Sequence, residues 1–363
     1  MPDKCKKILI MEAGGIGDIV MSTPALRALR ERFSDSEIVL LTVPRTAQAI
    51  NVEHYANRIL CFKQESFSKG PTKSFYKQIL SNLRLLWDLR KERFDMMIDM
   101  EAIESWKSSL MRYFFYKSIG ARRRVGRNSD GTGFFLDVKV KDDLYGKVHE
   151  VDRKLLIAST LGAETKNTKQ EFSISREDKE FINNWLADSG IDDDRKIVAM
   201  QPGAFVPSRE WKSEGFVEIG RRLFQQYKAQ IIITGGKNDN VAYKINDELK
   251  DIKPILAAGL SLGEFGALLE RVHLFISNDT GPAHIADALN IPYVVLFGPE
   301  NFYRYGPYGS KPNNRLVTGM KVSCSPCLKH TCRTHECMES ITTDMVWEGV
   351  ESLLKERKEE KQP

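Results

Sequence analysis

Twice along the chain, short apolar runs stop at glycine- or aspartate-bearing turns and give way to amphipathic stretches, and this alternation restricts the fold most. In the first half, residues 6–13, 36–44 and 95–100 read as strands. Residues 18–33 read as a helix with apolar positions Ile19, Leu26, Leu29 and Phe33, and residues 78–94 as another. The pattern restarts with strands at 195–204, 229–236, 272–279 and 292–299 and helices at 214–227 and 281–290. Such alternation predicts parallel sheets with crossover helices, an α/β fold. At about 100–200 residues per domain, 363 residues suggest two domains. A polar helix and linker, 175–194, places the boundary around residues 170–195. The expected division is 1–175 and 176–342, with 343–363 as a terminal helix. In tandem βα domains the largest cleft is expected between the two, at the carboxyl ends of the strands.

Charge excludes little but is informative. Lys plus Arg number 54 against 49 Asp plus Glu, a net charge of +5. That mild excess suits an anionic substrate or membrane surface and does not call for nucleic acid. No window is apolar enough to span a bilayer. The N-terminal apolar run is only Ile8 to Met11, followed by Glu12 and glycines, so it reads as a first strand and a cytoplasmic protein is expected. Six cysteines in a chain of this length are not a disulfide scaffold.

The turn after the first strand carries Gly14, Gly15 and Gly17, then Asp18. It is not a P-loop, because Asp18 and Ile19 stand where Lys and Ser/Thr are needed. It is not a dinucleotide fingerprint, because Val20 occupies the third glycine position and the next strand ends without an acid. Asp18 is then a helix cap or a fixed carboxylate available as a general base. In the second half, a strand ends at Asn278 and Asp279, and Thr280-Gly281-Pro282 opens a helix with His284 one turn in. Free N–H groups and the helix dipole make such a start an anion site. The loop after residue 201 brings Arg209 and Lys212, flanking Trp211, as cations for a diphosphate. Gly235 and Gly236 close the next strand near a base or ribose.

Between residues 107 and 127 lie seven cations and no acid: Lys107, Arg112, Lys117, Arg122, Arg123, Arg124 and Arg127. Tyr113, Phe114, Phe115 and Tyr116 sit among them. This reads as a surface for a phosphorylated saccharide resting on an anionic leaflet, or as a core helix with a solvated basic end. No nucleic-acid motif accompanies the charge. Cys324, Cys327, Cys332 and Cys337 follow C-x2-C-x4-C-x4-C spacing, which reads as a structural metal site such as zinc, as two disulfides or as packed thiols. The triplet 192–194 offers an Asp-x-Asp pattern, but it lies in a polar linker and reads as a solvated turn.

Together, residues 14–30, the Pro-Gly-Ala…Trp loop, the Thr-Gly-Gly strand end and residues 278–299 resemble the lipopolysaccharide heptosyltransferases of glycosyltransferase family 9. The resemblance runs over nearly the whole chain. It implies a GT-B architecture of two Rossmann-like domains facing a cleft, the first binding acceptor, the second donor, with the terminal helix crossing back to the first domain. It further implies inverting transfer of heptose from ADP-heptose to lipid A-linked core saccharide, with no catalytic metal; the basic run adds an expected peripheral contact with the inner leaflet of the membrane. By the resemblance, Asp18 is the catalytic base, and Thr280, Gly281 and His284 contact phosphate. Asp279 lies near the donor sugar, and Arg209 stands where the family often has lysine. Domain closure would exclude water. A helix start weakens Asp18 as a base, so position must compensate. A nucleotide-sugar epimerase or hydrolase on the same fold, or a non-catalytic nucleotide-sugar-binding module, is the alternative.

Overall fold

The computed structural model describes residues 5–62, 73–192, 194–309, 311–319 and 322–359. The chain divides into two units, Met1–Glu171 and Phe172–Pro363. The first contains β1 (Lys7–Met11), α1 (Ile16–Arg32), β2 (Glu37–Thr42), α2 (Pro44–Ala47), β3 (Arg58–Cys61) and α3 (Lys73–Lys91). It continues with β4 (Met96–Asp99), α4 (Trp106–Ile119), β5 (Arg123–Asn128), β6 (Val138–Lys141) and α5 (Glu150–Ser159). The second opens with α6 (Arg176–Asp188), β7 (Ile197–Gln201), α7 (Ser213–Tyr227), β8 (Gln230–Gly235), α8 (Asn240–Glu248), β9 (Ile255–Ala258) and α9 (Leu262–Arg271). β10 (Leu274–Asn278), α10 (Gly281–Ala288), β11 (Tyr293–Phe297), α11 (Phe302–Tyr305), β12 (Asn314–Thr318), α12 (Glu336–Glu339) and α13 (Thr343–Glu359) complete it.

Each unit holds one six-stranded sheet with every pairing parallel. The strand orders are β3-β2-β1-β4-β5-β6 and β12-β11-β10-β7-β8-β9. Both are therefore doubly wound Rossmann-like sheets whose order reverses beside the first strand, at β1/β4 and β7/β10. Helices cover such sheets on both faces, so the central strands are apolar throughout. Ile8, Leu9 and Ile10 of β1 and Leu274, Phe275 and Ile276 of β10 are fully buried.

Helix α1 buries the expected Ile19, Leu26 and Leu29, while Phe33 falls at its C-cap. Pro24 interrupts the helix and cannot donate to the carbonyl of Val20. The hydroxyl of Thr23 donates to that carbonyl at 2.7 Å and repairs the gap.

Helix α13 packs its apolar face into the core of the second unit. Val346, Trp347, Val350, Leu353 and Leu354 join the core formed by β7, β8, β10, β11 and α7. The unit boundary falls at 171/172, four residues before the expected one. At the linker, the N–H of Asp194 donates to Asp192 Oδ1 and both residues are exposed, as a solvated turn requires; Asp193 lies outside the described residues. Among the described residues no helix is long and apolar enough to cross a membrane.

Candidate active site

In the first unit, the turn from β1 into α1 sits at the reversal of strand order, where the loops leaving β1 and β4 diverge. Asp18 is the third residue of α1. Its Oδ2 accepts from the N–H of Gly15 at 2.7 Å, folding the carboxylate back over the turn. A Cβ on Gly14 would come within 2.7 Å of that oxygen, so the close approach demands glycine there. Gly15 is the N-cap and Gly17 is buried in the first turn. Asp18 therefore does cap the helix, and its half-buried carboxylate lies at the carboxyl end of the sheet.

Sequence reasoning missed the residue that holds this turn. Glu101, two residues beyond β4, accepts from the N–H of Ala13 at 2.5 Å and pairs with Arg112 through its other oxygen at 2.5 Å. Burial pushes its carboxyl up to about 7, with Asp99 and Glu12 adding to the rise against Arg112. The available signal was an acid just past the end of a central strand.

The basic run is redistributed by the fold. Arg127 is 1% exposed and pairs with Glu150 and, at 3.8 Å, with Asp142; it is a core cation, not a surface one. Arg112 is drawn in by Asp99 and Glu101. Arg124 is held bidentately by Asp137 at 2.9 and 3.0 Å. Arg122 stays exposed, 3.2 Å from Asp95, and Arg123 is half-buried at the start of β5. Lys107 and Lys117 remain exposed on α4 beside exposed Trp106, Leu110, Met111 and Phe114.

In the second unit, the carboxyl ends of β7, β8 and β10 and the segments that follow them carry the expected donor residues. Asn278, the last residue of β10, clamps the 202–211 loop: Oδ1 accepts from the N–H of Trp211 at 3.1 Å, and Nδ2 donates to the carbonyl of Pro202 at 2.6 Å. Trp211 is buried, its indole donating to the carbonyl of Ile341. This clamp presents Arg209, which pairs with Asp279 at 3.1 Å and with Glu300 at 2.5 Å. Asp279 and Glu300 are both buried, so the guanidinium offsets two carboxylates.

Thr280 is the extended N-cap of α10, and its hydroxyl makes no capping bond. Pro282 lies in the first turn beside Gly281. A small recess here is lined by Asp279, His284, Tyr293, Tyr305 and Gly306. Lys212 is the N-cap of α7 and forms no ion pair among the described residues. Gly235 is required by packing, because a Cβ would meet Ala242 at 2.8 Å and Asp239 Oδ2 at 2.9 Å.

All six cysteines are free thiols, and among the described residues no three His, Cys, Asp or Glu side chains are grouped to hold an ion. Cys324 is exposed, while Cys337 lies buried on α12, its thiol raised by burial and by the neighbouring cysteines. Backbone N–H groups, His335 first, lower the thiol of half-buried Cys332. Their segment acts as a strap. Carbonyls of Lys329 and His330 accept from the hydroxyl and N–H of Ser208, and N–H groups of Cys327 and Leu328 donate to the carbonyl of Pro299. The strap thus joins the Arg209 turn to the loop that ends in Glu300.

A profile described as glycosyltransferase family 9 (heptosyltransferase) matches residues 82–338. Lipooligosaccharide heptosyltransferase 2 of Campylobacter jejuni is 25% identical over 366 residues, covering 96% of this chain and 98% of the relative. Lipopolysaccharide heptosyltransferase 2 of Escherichia coli is 24% identical over 96% of this chain and 98% of its own. Among solved structures, a family 9 glycosyltransferase from Veillonella parvula superposes with a TM-score of 0.76 at 20% identity, covering 98% and 99% of the two chains. Escherichia coli ADP-heptose LPS heptosyltransferase II does so at 0.72 and 20% identity, covering 97% and 99%. The fold is therefore GT-B.

The reassignment of Arg127 is directly measurable. Arg127→Leu removes the buried guanidinium that pairs with Glu150, leaving Lys154 at 3.9 Å as its remaining cation and Asp142 with Arg153, and is expected to cost about 3–5 kcal/mol in urea unfolding. A cation facing solvent would change stability by less than about 0.5 kcal/mol.

Proposed function

The chain belongs to glycosyltransferase family 9, and from that premise we propose that it transfers heptose from ADP-heptose to the lipid A-linked inner core of lipopolysaccharide, with inversion. The acceptor hydroxyl attacks the anomeric carbon, and Asp18 takes its proton as the new C–O bond forms. The bond from that carbon to the β-phosphate oxygen breaks, and ADP departs. Arg209, Lys212 and the start of α10 at Thr280 and Gly281 receive the diphosphate charge. Asp279, held by Arg209, faces the sugar side of this site, and His284 lines it.

The observation that carries the reading is the anion site itself. Arg209, held by Asp279 at 3.1 Å and by Glu300, is paired to the residue just before a helix start whose threonine hydroxyl is not spent on capping. Cations and helix N–H groups together supply what a divalent ion would otherwise supply to a leaving diphosphate, so transfer is proposed to proceed without a catalytic metal.

The lipid-linked acceptor gives α4 a role. Trp106, Leu110, Met111 and Phe114 are exposed on this helix, with Lys107 and Lys117 among them. An apolar, basic helical surface suits the interface of an anionic leaflet, so peripheral contact with the inner membrane face is part of the proposal.

Label from ADP-heptose should enter a lipid-linked product in EDTA. Free heptose alone would favour a hydrolase. Arg209→Ala should weaken ADP binding by about 2–4 kcal/mol in calorimetry and leave adenosine unchanged, because within the ligand only the phosphates lose a partner, although Asp279 and Glu300 lose theirs within the protein. Equal losses for both ligands would make the loop purely structural. Vesicles of anionic phospholipid should sediment the protein, and Trp106→Ser/Phe114→Ser should abolish that; equal sedimentation of both proteins removes α4 from the proposal.

A further inference from the structure

The first unit holds a buried charge cluster that the transfer chemistry does not by itself use. Five carboxylates, Glu12, Asp99, Glu101, Asp142 and Glu150, meet four cations, Arg112, Arg127, Arg153 and Lys154. Lys154 binds Glu12, whose other partner is the hydroxyl of Ser22 on α1. Asp99 receives Arg112 and the hydroxyl of Tyr116. Arg127 bridges Glu150 and the carbonyl of Met100, the residue before Glu101. One carboxylate is left in excess, and a low-dielectric cluster of this kind favours holding one proton.

Glu101 is the member in contact with the catalytic turn. It takes the N–H of Ala13, and Asp18 takes the N–H of Gly15, so two carboxylates grip the turn two residues apart. We propose that Glu101 is a positioning residue for Asp18: its ionised carboxylate, braced by Arg112, fixes the β1–α1 turn, and its protonation loosens that grip and slows transfer. The inference rests on the role given to Asp18 above.

The groups facing Glu101 all enter its titration. Arg112 on α4 favours the ionised form; Asp99 at the end of β4 and Glu12 at the end of β1 oppose it; the N–H of Ala13 favours it. Tyr116 reaches the site through Asp99, Lys154 through Glu12, and Arg127 through the carbonyl of Met100. With its carboxyl raised to about 7, Glu101 changes charge within the physiological range.

Two readouts separate this proposal from the reading of function. The first needs no substrate: melting temperatures of the protein and of Glu101→Gln from pH 4 to 9. A carboxyl raised on folding stabilises fully below its ordinary value and loses that contribution as pH rises through about 7. The melting temperature should therefore fall relative to Glu101→Gln over that window. The second is the pH dependence of transfer. The unaltered protein should gain kcat through about pH 7, and Glu101→Gln should lack that limb. Its kcat at pH 8 should be lower by about 10–100-fold, the usual effect of a small misplacement, with KM for ADP-heptose unchanged. Arg112→Gln, which removes the opposing cation, should move the limb to higher pH. A Glu101→Gln profile that keeps the limb, or a loss confined to KM, overturns the proposal. No transfer by either protein, with the melting difference intact, overturns the reading of function and removes the premise instead.

Discussion

In both units a side chain at the end of the fourth strand holds the loop that leaves the first. A doubly wound parallel sheet makes this necessary, because the connections diverge where strand order reverses and leave backbone groups of the first loop without sheet partners. In the first unit Glu101 takes the N–H of Ala13. In the second, Asn278 takes the N–H of Trp211 and donates to Pro202. One clamp sets the turn that bears Asp18, and the other sets the loop that bears Arg209. The choice of clamp follows the surroundings. An amide needs no counter-charge in the apolar neighbourhood of Trp211, whereas a carboxylate needs Arg112 beside it and brings a titration with it.

Ionic groups buried around the first clamp are costly to desolvate and are poor sources of stability unless paired. Here each carboxylate contacts a cation, Asp99 and Glu101 sharing Arg112, and the contacts run from β1 through α5 to β5. The second unit uses fewer buried charges and more strapping. Ser208, Pro299 and Gly298 are tied to the cysteine-bearing segment by backbone and hydroxyl hydrogen bonds. That segment fixes two loops that both reach Arg209, one carrying it and one carrying Glu300. The cysteines stand out in the sequence, yet the backbone between them does the joining.

The alternation of apolar runs and helices was legible in the sequence because central parallel strands must be apolar on both faces. Edge strand β6 carried no such pattern: its Lys139 and Lys141 face solvent, so its periodicity is weak. Asp18, Thr280 and Arg209 were legible because strand-to-helix turns have local signatures. The fate of the basic run was not. Arg112, Arg124 and Arg127 are neutralised by Asp99, Asp137 and Glu150, which lie 13, 13 and 23 residues away in sequence. Only the fold brings such partners together, and a run read without them looks like an open cationic surface. Glu101 was missed for the same reason, since its partners come from β1 and α4.

Transfer depends most directly on Asp18, which caps α1 and is also given the acceptor's proton. Asparagine caps a helix about as well as aspartate but cannot take that proton. Transfer from ADP-heptose to lipid-linked acceptor should therefore fall by about 10²–10⁴-fold in Asp18→Asn, with donor affinity and melting temperature nearly unchanged. Near-normal turnover in Asp18→Asn would contradict the account and leave Asp18 as a cap alone.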